Sequence, residues 1–156
     1  MTSSSPSPAD TLREETAATQ RLLEILKREQ AQLLQADIEG LTQLTEEKAG
    51  ILVQMSSLAM HRHQALASAG FEPKESGMQA WVDGHRTEQQ AWTELLSLAR
   101  SAKEMNRTNG LLINKHIARN QTAISVLQNA TSPGGSIYGP DGQSSIKSSP
   151  RGVIVG

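Results

Sequence analysis

Along most of the chain, apolar residues recur at steps of three and four positions, which is the spacing of one face of an α-helix. Prolines stand only at positions 6, 8, 73, 133, 140 and 150, so residues 9–72 and 74–132 contain no helix-breaking residue. Both segments are rich in Ala, Leu, Gln and Glu, which favour helices. The pattern predicts an all-α fold, an elongated antiparallel bundle of three long helices plus one short helix.

Capping residues predict where the first two helices begin and end. The first helix is expected to begin near Ser7, because the proline that follows suits the first helical position. Asp37 is expected to cap the second helix, since its carboxylate can accept from free backbone N–H groups. Gly70 is expected to end that helix, with Pro73 preventing its continuation.

Two further helices are predicted after this proline. Ser76 and Gln79 have the spacing of a capping box, which predicts a short helix over residues 77–82. The third long helix is predicted over residues 86–129. Gly110 lies inside it and is a weak point, because glycine costs about 1 kcal/mol relative to alanine in a helix interior. We favour one continuous helix over two.

The third long helix carries a heptad-type row of inward-facing positions, which we call the seam. The ends of the seam are apolar, whereas its middle contains asparagines. One interpretation is that these asparagines fix the register between helices at some cost in stability. The other is that the middle is under-packed and accepts another helix, and both remain open. The seam positions are Trp92, Leu95, Ala99, Ala102, Asn106, Asn109, Ile113, His116, Asn120, Ala123 and Leu127.

Two cations lie on the apolar face of the second helix. Lys48 and Arg62 are two heptads apart. Their long stems can cover apolar surface while the charged ends reach water. Alternatively, they form buried pairs with acids of the first helix, such as Glu24 or Glu29. We assign both cations, together with the seam asparagines and Gly110, to the structural seam.

The composition changes abruptly at residue 131. The last 26 residues contain six Gly, six Ser and three Pro, and such a segment buries too little apolar area to offset the entropy of ordering it. We therefore predict a disordered N-terminus over residues 1–7, a helical domain over 8–130 and a flexible tail with a docking segment over 131–156.

Charge and composition exclude several classes of function. The 15 Lys and Arg residues against 16 Asp and Glu leave no basic excess for binding nucleic acid or an anionic membrane. The absence of cysteine excludes disulfides, thiolate metal sites and thiol nucleophiles. The first residues lack the basic and apolar regions of a secretory signal, and apolar runs are only a few residues long. We expect a cytoplasmic protein that does not insert into membranes.

No catalytic or cofactor-binding motif is present, so we expect no enzyme, no cofactor and no metal. His61 and His63 are two positions apart and would point to different sides of a helix. A remote alternative is a phosphorelay through His116. Arg119 stands three residues after this histidine, the position where phosphotransfer domains have a lysine. Asn120 then stands where those domains have glycine, and the histidine falls on the seam.

Several segments of the chain, in order, resemble the FlgN family of flagella synthesis proteins. The most specific are the Asn-x-x-Asn-Gly helix at 106–110 and the Tyr-Gly-Pro-Asp-Gly-Gln run at 138–143. The resemblance covers roughly residues 10–143. The remaining segments are Leu22-Leu23-Glu-Ile-Leu26, Asp37-Ile-Glu-Gly-Leu41, Lys48-Ala-Gly-Ile51-Leu52, Arg62, Gly70, Trp92-Thr-Glu-Leu95 and the Leu-Leu-Ile113 that continues the asparagine helix.

The resemblance implies a non-enzymatic, helical export chaperone. Its clients would be the hook-associated proteins FlgK and FlgL, bound through their amphipathic C-terminal regions and kept soluble in the cytoplasm. It would deliver them to the flagellar export gate through the cytoplasmic domain of FlhA. A tyrosine in the C-terminal segment is implicated in gate docking in this family, and the matching position is Tyr138. A purely local contact of Tyr138 with the last helix is the alternative.

The last helix also offers more apolar width than the seam requires, and amphipathic helices bind one another through such anchors. The alternative is that these residues all face the other helices of the bundle. A structural coiled-coil adaptor or homodimer without a client is the competing hypothesis for the whole chain. The predicted client-binding residues are Leu112, Ile113, Ile117, Ile124 and Leu127.

Overall fold

A computed structural model of the chain describes residues 4–131, and within that range all regular structure is helical. The four helices are α1 (Leu12–Leu34), α2 (Ile38–Ser68), α3 (Glu75–Asp83) and α4 (Arg86–Thr131). The predicted all-α class is confirmed. The chain divides into two compact units after residue 112, and each is described by itself. The expected structure of the tail lies outside the described residues.

The start of α1 differs from the prediction. Ser7 does not begin α1, because a turn precedes the helix. In this turn the Ser7 hydroxyl accepts from the N–H of Ala9, and the Asp10 carboxylate accepts from the N–H of Ser7. The N–H of Asp10 also donates to the Ser7 carbonyl at 3.0 Å, an i→i+3 bond, so these residues form a capped turn and the regular helix α1 begins at Leu12.

The boundaries of α2 agree with the sequence. Asp37 is the N-cap, and its side chain accepts from the N–H of Gly40 at 3.3 Å. Gly70 follows the helix with φ +84°, the left-handed conformation that favours glycine after a C-terminus.

The short helix α3 packs its apolar residues against the bundle. Met78 and Val82 are fully buried, and the backbone approaches so closely that a Cβ on Gly77 would lie 1.8 Å from the carbonyl oxygen of Glu72. Because of this close approach, glycine is required at position 77.

The predicted capping box at the start of α3 is wrong, since the Ser76 hydroxyl donates to the Glu72 carboxylate instead of capping the helix.

Two clusters of buried apolar side chains form the core within residues 4–112. The larger cluster joins all four helices, and the smaller one joins α1 to α4 with α2 residues at its edge. Removing these aliphatic and indole groups from water supplies most of the stabilisation. The larger cluster contains Leu12, Leu66, Met78, Trp81, Val82, Trp92 and Leu95, and the smaller one contains Leu22, Leu26 and Ala102.

A buried ion pair crosses this core. The Arg62 guanidinium of α2 donates from Nε and Nη2 to the Glu15 carboxylate of α1, at 3.0–3.2 Å. Its Cζ also lies 4.9 Å from the ring centroid of Trp92 on α4, in cation–π geometry. Both charged side chains are more than nine-tenths buried. We call these three residues the Arg62 cluster. From the sequence, Glu24 and Glu29 are the predicted partners of the two cations, and Glu15 is not among them.

A second polar cluster repeats the arrangement two heptads away. The Lys48 ammonium of α2 lies 3.5 Å from Glu29 Oε1 on α1 and donates to Asn106 Oδ1 on α4 at 2.6 Å. Asn109 donates to the same Glu29 oxygen at 2.9 Å. We call these four residues the Lys48 cluster.

The two clusters define the directions of the helices. From the Arg62 cluster to the Lys48 cluster, α1 advances from residue 15 to 29 and α4 from 92 to 106, whereas α2 runs back from 62 to 48. Each step is 14 residues, about 21 Å of helix. Helix α2 is therefore antiparallel to α1 and α4.

We expect Arg62→Ala to lower the free energy of unfolding by about 3–5 kcal/mol, because it leaves the buried Glu15 carboxylate without a counter-charge. The measurement is urea unfolding followed by circular dichroism. Arg107→Ala is the matched control, since Arg107 pairs with Glu104 at the surface and solvent screens that pair.

The double variant Glu15→Leu/Arg62→Met removes both buried charges together. We expect it to recover most of the lost stability, because a well-packed apolar pair replaces a buried ion pair at little cost. If Arg62→Ala were no less stable than Arg107→Ala, the result would contradict this account of the Arg62 cluster.

Candidate functional site

The C-terminal part of α4 exposes large aliphatic side chains. Ile113 is 38% exposed, Ile117 51%, Ile124 55% and Leu127 64%. We call these four residues the apolar face. Leu112, the fifth predicted client-binding residue, is half-buried and lies next to it. Isoleucine and leucine are usually buried, so a contiguous exposed set indicates a surface that binds a partner.

The apolar face has helical spacing. Ile113, Ile117, Asn120, Ile124 and Leu127 follow one another at steps of four, three, four and three, which places them along one side of α4. Asn120 is the one polar member of this row and is exposed. The arrangement is that of an amphipathic helix ready to pack along a second helix.

The apolar face falls in the same heptad pattern as the row of α4 that is buried in the first unit. Leu95, Ala102 and Asn109 are buried and stand seven residues apart. The same heptad position recurs at His116 and Ala123, which are not large apolar residues. Ile113, Asn120 and Leu127 stand four residues after successive positions of this type, and Ile117 and Ile124 stand one residue after, so all five flank the recurring position in the heptad pattern.

One border of the apolar face is lined by neutral amides. Asn114, Gln121 and Gln128 recur every seven residues along one border. The cations of this region, Lys115 and Arg119, lie more than about 100° around the helix from the centre of the face. No carboxylate occurs from residue 105 to 131. The surface can therefore offer apolar contact and neutral hydrogen bonds to a partner.

The predicted seam asparagines occupy different environments. Asn109 is fully buried, and its Nδ2 donates to the Leu26 carbonyl and to Glu29, both at 2.9 Å. Asn106 is exposed but accepts from Lys48. Gly110 lies inside the continuous helix α4, and nothing lies within 4 Å of where its Cβ would be. Asn120 is exposed.

Sequence reasoning missed the pairing of Glu15 with Arg62. A signal was present, since Glu15 and Glu29 on α1 have the same 14-residue spacing as Arg62 and Lys48 on α2. In antiparallel helices, matching the two spacings pairs Glu15 with Arg62 and Glu29 with Lys48, as the structure shows. Tyr138, the predicted docking residue, lies outside the described residues.

The other candidate chemistry can be stated briefly. Within residues 4–131 no group of three or more His, Asp or Glu side chains is placed to hold a metal ion. His116 is half-buried, His61 is exposed and His63 is half-buried. None of the four helices is both long and apolar enough to cross a bilayer, as judged over the part of the chain that the structure describes.

The fold and the site together define an all-α protein that presents an amphipathic helix face to solvent. Comparison with protein families agrees with this class: residues 1–146 match the family described as "FlgN protein". The chain belongs to the FlgN family, and its relatives indicate a role in the synthesis of flagella.

Three relatives illustrate the similarity. The flagella synthesis protein FlgN of Proteus mirabilis is 32% identical over 135 residues, covering 85% of this chain and 82% of that protein. The FlgN protein of Yersinia enterocolitica is 34% identical over 127 residues, 78% of this chain and 80% of that protein. The Salmonella typhimurium protein is 29% identical over 133 residues, covering 84% and 85%. No solved structure matches the chain.

Stability measurements can distinguish the buried environment of Asn109 from the exposed environment of Asn120. We expect Asn109→Ala to lower the free energy of unfolding by about 2–3 kcal/mol, because it removes two buried hydrogen bonds and leaves a small cavity. Asn120→Ala is the matched control and should leave stability within about 0.5 kcal/mol, since alanine also favours the helix. Thermal and urea unfolding measure both, and equal effects would show that the environments are not different.

Proposed function

We propose that this chain is a non-enzymatic export chaperone of flagellar assembly. It binds the amphipathic C-terminal regions of the hook-associated proteins FlgK and FlgL in the cytoplasm, keeps them soluble and delivers them to the export gate. The single observation that carries the proposal is the apolar face of α4, which leaves four large aliphatic side chains accessible to a client helix.

The energetics of the apolar face suit reversible binding. Burying each half-exposed Ile or Leu contributes about 1 kcal/mol, and a client helix buries a similar area of its own. The gross gain of about 8 kcal/mol is offset by an association cost of at least about 4 kcal/mol. Apolar contact alone therefore gives a weak complex, and neutral hydrogen bonds along the borders supplement it. A chaperone has to release its client, and such a complex allows release.

Membership of the FlgN family supports the flagellar part of the proposal. The resemblance of the 138–143 run to the family supports a second contact, in which Tyr138 docks on the cytoplasmic domain of FlhA. An aromatic side chain suits this role because it buries a large area at low conformational cost. Client binding and gate docking then use separate parts of the chain.

A second candidate function is a structural coiled-coil adaptor or homodimer without a client. The observation in its favour is that steps of four and three also suit pairing with a second copy of α4. Sedimentation of the purified protein with and without client peptide separates the two hypotheses. The chaperone hypothesis expects a change in mass on adding peptide, and the adaptor hypothesis expects a stable dimer that the peptide leaves unchanged.

We expect Ile117→Gln and Ile124→Gln each to weaken binding of a C-terminal FlgK or FlgL peptide about tenfold, because each removes one apolar anchor. The measurement is isothermal titration or fluorescence anisotropy on the full chain. Glutamine keeps the helix propensity high, so α4 itself is retained.

The matched controls are Leu111→Gln and Val126→Gln. Both residues are exposed and aliphatic, at 52% and 60%, but lie on the far side of α4 from the apolar face. They should bind the peptide within twofold of wild type. Equal losses in all four variants, or no binding by wild type at about 100 μM peptide, would contradict the proposal.

We expect Tyr138→Ala to weaken binding to the cytoplasmic domain of FlhA by at least tenfold and to leave the client affinity unchanged. The reason is that the mutation removes an aromatic anchor from the tail without touching α4. Tyr138→Phe is the control and should retain most of the binding, because the ring remains. Parallel loss of gate and client binding in Tyr138→Ala would exclude the proposed division of roles.

A further inference from the structure

Asn120 occupies an unusual position in the apolar face. It lies between Ile117 and Ile124 along the row, at the centre of the surface rather than on its border. Its side chain is exposed, so solvent satisfies its amide in the free protein. Any helix that packs along the apolar face covers this amide and removes that water.

A buried asparagine on this helix requires partners, and Asn109 shows which. The Asn109 amide donates both to a backbone carbonyl and to a carboxylate of α1. A primary amide that is buried without such partners costs about tenfold to a hundredfold in affinity. In coiled coils, a single asparagine in an apolar row selects partners and register for this reason.

The borders of the apolar face restrict the partner further. Asn114, Gln121 and Gln128 carry neutral amides that donate and accept hydrogen bonds. A charged partner residue placed against this border would lose part of its hydration without gaining an opposite charge. This border therefore fits a helix whose flank on that side is neutral and polar.

We propose that Asn120 is the specificity-determining residue of the apolar face. The preferred occupant is an amphipathic helix that interrupts its apolar row with one hydrogen-bonding side chain, Asn, Gln, Ser or Thr, and has uncharged flanks. Pairing of that side chain with Asn120 sets the register of the complex. This inference rests on the proposed function and names the chemistry of the client.

The experiment uses the full chain and two synthetic amphipathic helical peptides. Both have the same Leu and Ile row and Gln and Ser flanks, and they differ at one central row position, which is Asn in one peptide and Leu in the other. Wild type should bind the Asn peptide at least tenfold more tightly, as measured by fluorescence anisotropy. Asn120→Leu should reverse the preference by at least tenfold.

Asn129→Leu is the matched control. Asn129 is exposed on the same helix but on the side opposite the apolar face, so this variant should keep the wild-type preference. A third peptide, with Glu at the flanks of the Asn peptide, should bind wild type at least threefold more weakly.

The outcomes separate this inference from the proposed function. If both peptides bind, Ile117→Gln weakens both, and Asn120→Leu leaves their ratio unchanged, the role of Asn120 is wrong and the apolar face stands as a binding site. If neither peptide binds wild type at about 100 μM, both are wrong. If Asn129→Leu reverses the preference as Asn120→Leu does, the effect is not specific to the face and the inference is overturned.

Discussion

Two carboxylates of α1 are buried, and the need to pair them constrains the bundle. Glu15 and Glu29 are each about 95% buried, and an unpaired carboxylate in such a place would cost several kcal/mol. Each is met by a cation of α2 and accompanied by a polar or aromatic group of α4. Because both pairs are 14 residues apart on each helix, only one register of α1 against α2 satisfies both.

The Lys48 cluster also orients α4. Asn109 donates to a backbone carbonyl and a carboxylate of α1, and this hydrogen bonding holds one side of α4 toward the bundle. Helical periodicity then decides which residues of α4 share a side of the helix. Ile113, Ile117 and Ile124 fall in the same heptad pattern as the buried row, yet their side chains are exposed and accessible to a partner. A stable core and an exposed apolar face are thus compatible in one helix.

Much of the fold could be predicted from the sequence because its signals are local. The capping role of Asp37 and the stop at Gly70 depend on a few neighbouring residues, and both were predicted correctly. The start of α1 was placed five residues early, because the residues from Ser7 to Thr11 form a capped turn of i→i+3 hydrogen bonds and not regular α-helix. Local propensity alone does not decide between these two arrangements.

The environment of each polar residue was harder to predict. Asn109 and Asn120 occupy equivalent-looking positions in the heptad pattern, yet one is buried against α1 and the other is exposed. Periodicity alone does not report which of two such positions is packed against another helix. The partner of Arg62 was missed for a similar reason, since choosing among the acids of α1 requires the register between two helices.

The central claim is that this FlgN-family chain acts by offering the apolar face of α4 to a client helix. Hydrogen exchange measured by mass spectrometry, on the full chain with and without a C-terminal FlgK peptide, tests it most directly. The account predicts slower exchange in peptides covering residues 112–128 and unchanged exchange in α1. Protection confined to α1 and α2, with none in the C-terminal part of α4, would contradict it.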